Sequence, residues 1–314
     1  MKAAAERRGD ELMASAKKKS GSFSWFGLAD SVKYEEVAEF YQQAGAQYKI
    51  AQAWTKASDA FSRAAELHLG KLKNRGDGIQ AMCEAGRALK NLNGSTAVEP
   101  LKKAATMMME DNRFAPAAKL WSEIGDIENT ENLNRKAAAS AYLTAADAYS
   151  AANSSVTSQS MRLKAAEMQS LDGDYAKAIK IYESVADSQA DNSAVAWSVK
   201  DYLYKALLCQ MVIEADKESD TLLETEQKLE QYCDNHPRFR DAKECNLVRD
   251  LAAAYDARDE DKFLGVLQKY NSLYSLDTWS QSMLYKVKKT VRGESQKTDE
   301  TGAPKTASES VNLG

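Results

Sequence analysis

The chain has 314 residues, enough for one large domain or two of ordinary size. Its 15 glycines and 4 prolines amount to roughly half of average usage, which argues against a turn-rich sandwich or barrel. The net charge of −4 gives no overall attraction to nucleic acid, and neither a run of about 20 apolar residues nor a secretory signal is apparent, so we expect a cytosolic protein.

A helical repeat is the strongest pattern in residues 1–190. A pair of small residues, or an aliphatic residue beside a small one, recurs every 19 to 21 residues within sequence of helical periodicity. One period therefore equals one helix plus a short turn, and turn-favouring residues stand at 91–94, 110–113, 151–154 and 172–174. The pattern predicts an all-α fold, a right-handed solenoid of antiparallel helix hairpins similar to tetratricopeptide repeats. The pairs are Ala44-Gly45, Ala64-Ala65, Ala85-Gly86, Ala104-Ala105, Ile124-Gly125, Ala145-Ala146, Ala165-Ala166 and Val185-Ala186.

The period loosens after residue 190. Residues 191–293 keep the spacing of helices, as in Trp279, Met283 and Val287, and we interpret them as a C-terminal helical bundle that caps the solenoid. Residues 294–314 are polar and poor in large apolar side chains, so we expect a disordered tail.

Chemical motifs are scarce. The chain has no phosphate-binding glycine loop, no metalloprotease motif and no nucleophile elbow, and its two histidines leave little for acid and base catalysis. Cys233, His236 and Cys245 could share a zinc ion, but a fourth ligand is missing, and we interpret the four cysteines as reduced structural thiols. We therefore expect a protein that is not an enzyme, has no cofactor, metal or small-molecule substrate, and acts through its surfaces.

An apolar segment at 20–30 follows three lysines, at 17–19. Its large side chains lie among Ser and Gly without a helical or strand period. One interpretation is a loop tucked into the first hairpin. The other is a loop that dips into a bilayer while the lysines face anionic lipid, each contributing about 1 kcal/mol. The small neighbours favour exposure, so we predict membrane binding by Phe23, Trp25, Phe26 and Leu28.

Charge is also divided along the chain. Residues 214–262 include 15 acidic and 8 basic side chains. Such a cluster is either a solvated helix face or a pole that docks a basic partner.

Six segments resemble, in order, the alpha-SNAP family of soluble NSF attachment proteins, and the resemblance extends from about residue 5 to 293. It implies an adaptor in vesicle trafficking that binds the four-helix SNARE complex and recruits and stimulates the hexameric ATPase NSF, which disassembles the complex after membrane fusion. It also implies a cytoplasmic protein associated peripherally with membranes. The first segment begins FSWFGLADSVKYEEVAEF, and the other five are DNRFAPAAKLW, GDYAKAIKIYESVA, SVKDYLYKALLCQM, FRDAKECNLVRDL and LDTWSQSMLYKVKKTVRG.

Matching positions carry the family's binding residues over to this chain. At one basic position of the family this chain has Ser160, and Ala253 and Ala257 stand where the family often has Glu. The resemblance implies contacts with the acidic SNARE surface by Arg113, Lys119, Lys164, Lys200, Lys205 and Lys243. It implies contacts with NSF by Glu214, Asp256 and Leu313, and we expect Asp259, Glu260 and Asp261 to substitute for the two missing glutamates.

Two other functions fit a helical repeat. A generic peptide-binding scaffold or co-chaperone would grip extended peptides in its groove, but it needs a basic clamp repeated at one helix position, which this sequence lacks. An enzyme would need a catalytic constellation, and none is found.

Overall fold

The computed structural model describes residues 1–21, 27–190, 192 and 195–291, with the backbone alone at 27–30. This part of the chain contains no β-strand, and a 3₁₀ helix at Ala196–Ser198 precedes α10. The predicted all-α fold is confirmed. The α-helices are α1 Lys2–Ser20, α2 Gly27–Ala51, α3 Trp54–Gly70, α4 Arg75–Lys90, α5 Gly94–Glu110, α6 Phe114–Thr130, α7 Arg135–Ala151, α8 Ser155–Leu171, α9 Tyr175–Gln189, α10 Val199–Asp216, α11 Leu223–Asn235, α12 Pro237–Arg240, α13 Lys243–Asp256, α14 Glu260–Tyr274 and α15 Thr278–Val291.

The small-residue pairs set the packing of the repeat. Each of the eight predicted pairs is buried, and each of α2 to α9 carries one. A Cβ atom at Gly45 would lie 2.8 Å from the ring of Phe61, and one at Gly125 would lie 2.6 Å from the ring of Tyr142. An aromatic ring on the following helix thus fills the space that a larger side chain would occupy, which is the packing that the sequence pattern predicts.

Asparagine side chains begin several helices. Asn74 accepts from the backbone N–H of Asp77 and Asn134 from that of Ala137, so each supplies the missing acceptor of a helix N-terminus. Asn112 and Asn153 adopt left-handed backbone conformations, with φ of 56° at both positions. The predicted turns therefore lie between helices.

Two compact units make up the chain, Met1–Met168 and the residues from Gln169 onward. In the first, apolar side chains such as Ile79, Leu101 and Ile124 form a core between successive helices. In the second, α10 is buried around most of its circumference, and the indole N–H of Trp279 on α15 donates to Ser170 at 2.9 Å. The boundary predicted at residue 190 marks where the repeat ends, and it stays a prediction about domains. Helix α9 contacts α10 and belongs to the second compact unit.

Candidate partner-binding surfaces

The aromatic segment at the start of α2 is the first predicted surface. Phe23, Trp25 and Phe26 lie outside the described residues. Leu28 lies in the first turn of α2, which begins at Gly27, and Ser20 is the last residue of α1. The lysines that precede the segment form the last turn of α1, where the negative end of the helix dipole favours cations. None of the described helices is long and apolar enough to cross a membrane.

Lys164 is held by two neighbouring helices in the first unit. Its ammonium group lies 3.1 Å from Asp126 Oδ1 and 5.1 Å from the centre of the Tyr142 ring. The hydroxyl of Tyr142 donates to the same Asp126 oxygen at 2.7 Å. Burial and this hydrogen bond raise the pKa of the tyrosine. One carboxylate therefore connects α6, α7 and α8 and fixes the position of the lysine on an exposed face.

The same arrangement occurs a second time in the first unit. Asp10 of α1 accepts from Tyr48 of α2 at 2.7 Å and from Lys56 of α3 at 3.0 Å. In both places the aspartate follows a glycine whose neighbour is the tyrosine ring; at Gly9 an added Cβ would lie 2.6 Å from Tyr48. We refer to this Asp, Tyr and Lys combination as a clasp.

Arg113 and Lys119 lie on or beside α6 and are exposed. Arg113 precedes the first residue of the helix, and Lys119 lies seven residues before Asp126. Seven residues are close to two turns, so Lys119 and the Asp126 clasp share one face of α6. The structure thus brings Lys119 and Lys164 to the same face of the first unit.

Lys200 is engaged inside the second unit. Its ammonium group lies 2.6 Å from Glu244 Oε1 and 3.5 Å from Asp201, and its side chain is 34% exposed. Burial lowers the pKa of Lys200, but the bond to Glu244 and the charge of Asp201 outweigh it, so the pKa is raised. This pair connects the first turns of α10 and α13, and Lys243 is the residue before Glu244 in the chain.

Aromatic rings contact the other two predicted SNARE-binding lysines of the second unit, Lys205 and Lys243. The ammonium group of Lys243 lies 3.6 Å from the centre of the Tyr274 ring, and that of Lys205 lies 4.9 Å from the Trp279 ring. Such contacts keep the charge while orienting the side chain.

Glu214 occupies an interior position, which does not suit the surface contact that the resemblance implies. It is 3% exposed. Its carboxylate accepts from the backbone N–H groups of Glu224 and Thr225, both at 2.8 Å, and from the Thr225 hydroxyl at 2.5 Å. The side chain therefore caps the N-terminus of α11, which is a structural role, and its contact with NSF stays a prediction.

The remaining acidic residues differ in their availability. Asp256 accepts from the backbone N–H of Leu222 at 2.8 Å, so it also fastens the start of α11. Asp259 caps α14, and Asp261 is exposed in the first turn of that helix beside Glu260. This last group lies at the surface at the start of α14, while Leu313 lies outside the described residues.

The cysteines are buried free thiols. The sulfur atoms of Cys233 and Cys245 are 3.4 Å apart, and burial raises the pKa of Cys245 to about 12. The ring of His236 lies instead 3.3 Å from Asp187. Among the described residues no group of three or more His, Cys, Asp or Glu side chains could hold a metal ion.

The fold and the exposed charged groups define a helical-repeat protein that acts through its surfaces. The family described as soluble NSF attachment protein, SNAP, matches residues 7–292, and the chain belongs to this family. The resemblance inferred from the sequence is thus confirmed. The chain is 32% identical to the human (Homo sapiens) alpha-soluble NSF attachment protein over 288 residues, which cover 91% of this chain and 95% of that protein.

The similarity to two further relatives covers nearly the same share of the chain. The beta-soluble NSF attachment protein of Bos taurus is 30% identical over 294 residues, or 93% of this chain and 96% of its own. A probable vesicular-fusion protein sec17 homolog of Schizosaccharomyces pombe is 32% identical over 286 residues, or 90% and 96%. The similarity therefore spans both compact units.

Proposed function

We propose that this chain is an adaptor that binds assembled SNARE complexes and recruits and stimulates NSF, which disassembles those complexes after membrane fusion. Membership of the soluble NSF attachment protein family across residues 7–292 carries the proposal. The relative from Schizosaccharomyces pombe is named as a vesicular-fusion protein, which supports the same process. The chain positions these two partners and itself catalyses no reaction. It binds neither nucleic acid nor a small-molecule substrate.

SNARE binding is assigned to the basic face of α6 and α8. Lys119 is exposed on α6, and the Asp126 clasp holds Lys164 on the same face; Arg113 is exposed at the start of α6. A bundle with an acidic surface would meet fixed positive charges at this face, which favours fast and oriented association. Lys205 and Lys243 extend the assignment to the second unit. Lys200 contributes there by fixing α10 against α13.

NSF recruitment is assigned to the acidic turn at the start of α14. Asp259, Glu260 and Asp261 provide carboxylates for a basic partner, and Leu313 adds an apolar contact from the tail. Glu214 and Asp256 fasten the start of α11. The two roles thus lie on different helices of the chain.

The protein is cytoplasmic and associates with membranes through Phe23, Trp25 and Phe26. The three lysines at the end of α1 support this contact, because each basic residue near an anionic surface contributes about 1 kcal/mol. Changing the three aromatic residues to Ser should weaken liposome binding and leave the melting temperature unchanged. Leu133→Ser, at an exposed turn residue, is the control. A large fall in melting temperature of the triple variant would place the aromatic side chains in the core.

Affinity capture from cytosol tests the adaptor function as a whole. With ATP withheld, the immobilised chain should retain SNARE proteins and NSF together, because NSF cannot then complete disassembly. Restoring ATP should release both. Capture of neither protein, or of other proteins through their extended C-termini, would contradict the proposal and favour a generic peptide-binding scaffold.

A further inference from the structure

Two buried thiols lie side by side in the second unit. Cys233 is in the last turn of α11 and Cys245 is in the first turn of α13, and both side chains are fully buried. Their sulfur atoms are 3.4 Å apart, whereas the sulfur atoms of a disulfide are about 2.05 Å apart. A movement of about 1.4 Å would therefore bring the two sulfur atoms to bonding distance.

The connection between the two cysteines is the part of this region that opens most easily. It contains α12, a single helical turn in which only Phe239 is buried. The ring of Phe239 packs edge-on against Tyr232, with the ring centres 6.4 Å apart. Arg240 forms an ion pair with Asp234, but both side chains are exposed and such pairs contribute little. Segments with few buried apolar side chains open before the rest of a native protein, so an oxidant is expected to reach the thiols here.

The same opening controls how reactive the thiols are. Burial raises the pKa of Cys245 to about 12, so the closed form contains almost no thiolate, which is the form that reacts with a peroxide. In the open form one thiol reacts with hydrogen peroxide, becomes a sulfenic acid and releases one water. The other thiol then attacks the sulfenic sulfur, forms the S–S bond and releases a second water. The two thiols together lose two electrons and two protons, and the peroxide is reduced to water.

We propose that Cys233 and Cys245 are a redox switch, which hydrogen peroxide closes to a disulfide that fastens α11 to α13. Disulfides in cytosolic proteins are typically transient and serve to sense oxidants. The bond joins residues 12 positions apart and restrains the first turn of α13, where Glu244 pairs with Lys200 of α10. The switch acts on helices of the second unit alone, so it is independent of the proposed adaptor function.

Peptide mapping of the full chain tests the disulfide directly. The folded chain is treated with hydrogen peroxide, its remaining thiols are alkylated, and it is digested with trypsin without reduction. Residues 229–238 and 244–249 should be recovered as one cross-linked pair of peptides, which dithiothreitol separates. The pair can be recognised because trypsin cleaves the chain between the two cysteines and on either side of them, after Lys228, Arg238, Lys243 and Arg249.

Variants and thermal unfolding complete the test. Cys245→Ser should abolish the cross-linked pair, whereas Cys83→Ala, at a buried cysteine of the first unit, should leave its yield unchanged. In the wild type, the oxidised second unit should unfold about 10 °C above the reduced one, and dithiothreitol should remove the gain. The mapping and the unfolding are both measured on the wild type, so a variant that fails to fold does not decide the result.

Three outcomes would overturn the proposal. A cross-linked pair that forms only after the chain is unfolded in urea would show that the native thiols stay out of reach. Sulfinic acid at Cys233 or Cys245 in place of the disulfide would show that each thiol reacts alone. Cross-links between two copies of the chain would show that oxidation joins molecules and does not fasten α11 to α13.

Discussion

The capping of α11 by Glu214 gives a prediction that separates a structural carboxylate from a binding one. Replacing Glu214 with Ala leaves three donors without an acceptor, the N–H groups of Glu224 and Thr225 and the Thr225 hydroxyl. Each buried hydrogen bond that is lost costs about 1 kcal/mol of stability, so the free energy of unfolding of the second unit should fall by about 3 kcal/mol. For a unit of this size the midpoint should fall by about 10 °C.

Thermal unfolding followed by circular dichroism measures the global effect, and hydrogen exchange at the amides of Glu224 and Thr225 measures the local one. Protection of those two amides should be lost first, because they bond directly to the carboxylate. Glu218→Gln, at an exposed position in the turn after α10, serves as the control and should leave both measurements unchanged. The reasoning is refuted if Glu214→Ala keeps wild-type stability and exchange yet loses NSF recruitment, since the carboxylate would then act at the surface.

The other predictions concern charge and the tail. Lys119→Glu should weaken binding to SNARE complexes and reduce its salt dependence, whereas Lys103→Glu on the exposed part of α5 should not; equal effects would contradict a defined basic face. Burial, partly offset by Lys200, raises the pKa of Asp201, so its ionisation opposes folding; Asp201→Asn should raise the melting temperature at pH 7, and the gain should vanish below the ordinary pKa of 3.8. A gain that persisted there would have another cause. Leu313→Ala should leave SNARE binding intact and reduce stimulation of the NSF ATPase; unchanged stimulation would remove Leu313 from the NSF surface.

The repeat could be predicted from the sequence because its signal is local. A small pair every 19 to 21 residues reflects contact between helices that are neighbours in the chain. The clasp at Lys164 could not be predicted, since its aspartate and lysine are 38 positions apart and their pairing depends on how three helices pack. For the same reason the sequence gives no sign of the pair between Lys200 and Glu244, which are 44 positions apart.

The sequence also does not reveal which acidic residues are buried. Glu214 stands in an acidic region, and composition alone favours a solvated face. The buried carboxylate is stabilised by backbone N–H groups of the next helix, which carry no side-chain signature.

The two clasps also bear on how the first unit withstands force. In a helical repeat each hairpin contacts only its neighbours, so a load applied along the array passes through every junction in turn, and the weakest junction sets the strength of the whole. Apolar contacts between small residues resist separation but permit sliding. Asp10 and Asp126 each bond two other helices through one oxygen atom, so relative sliding of those three helices must break directional bonds. An adaptor connecting a motor to its substrate is thereby reinforced against shear at two places along the unit.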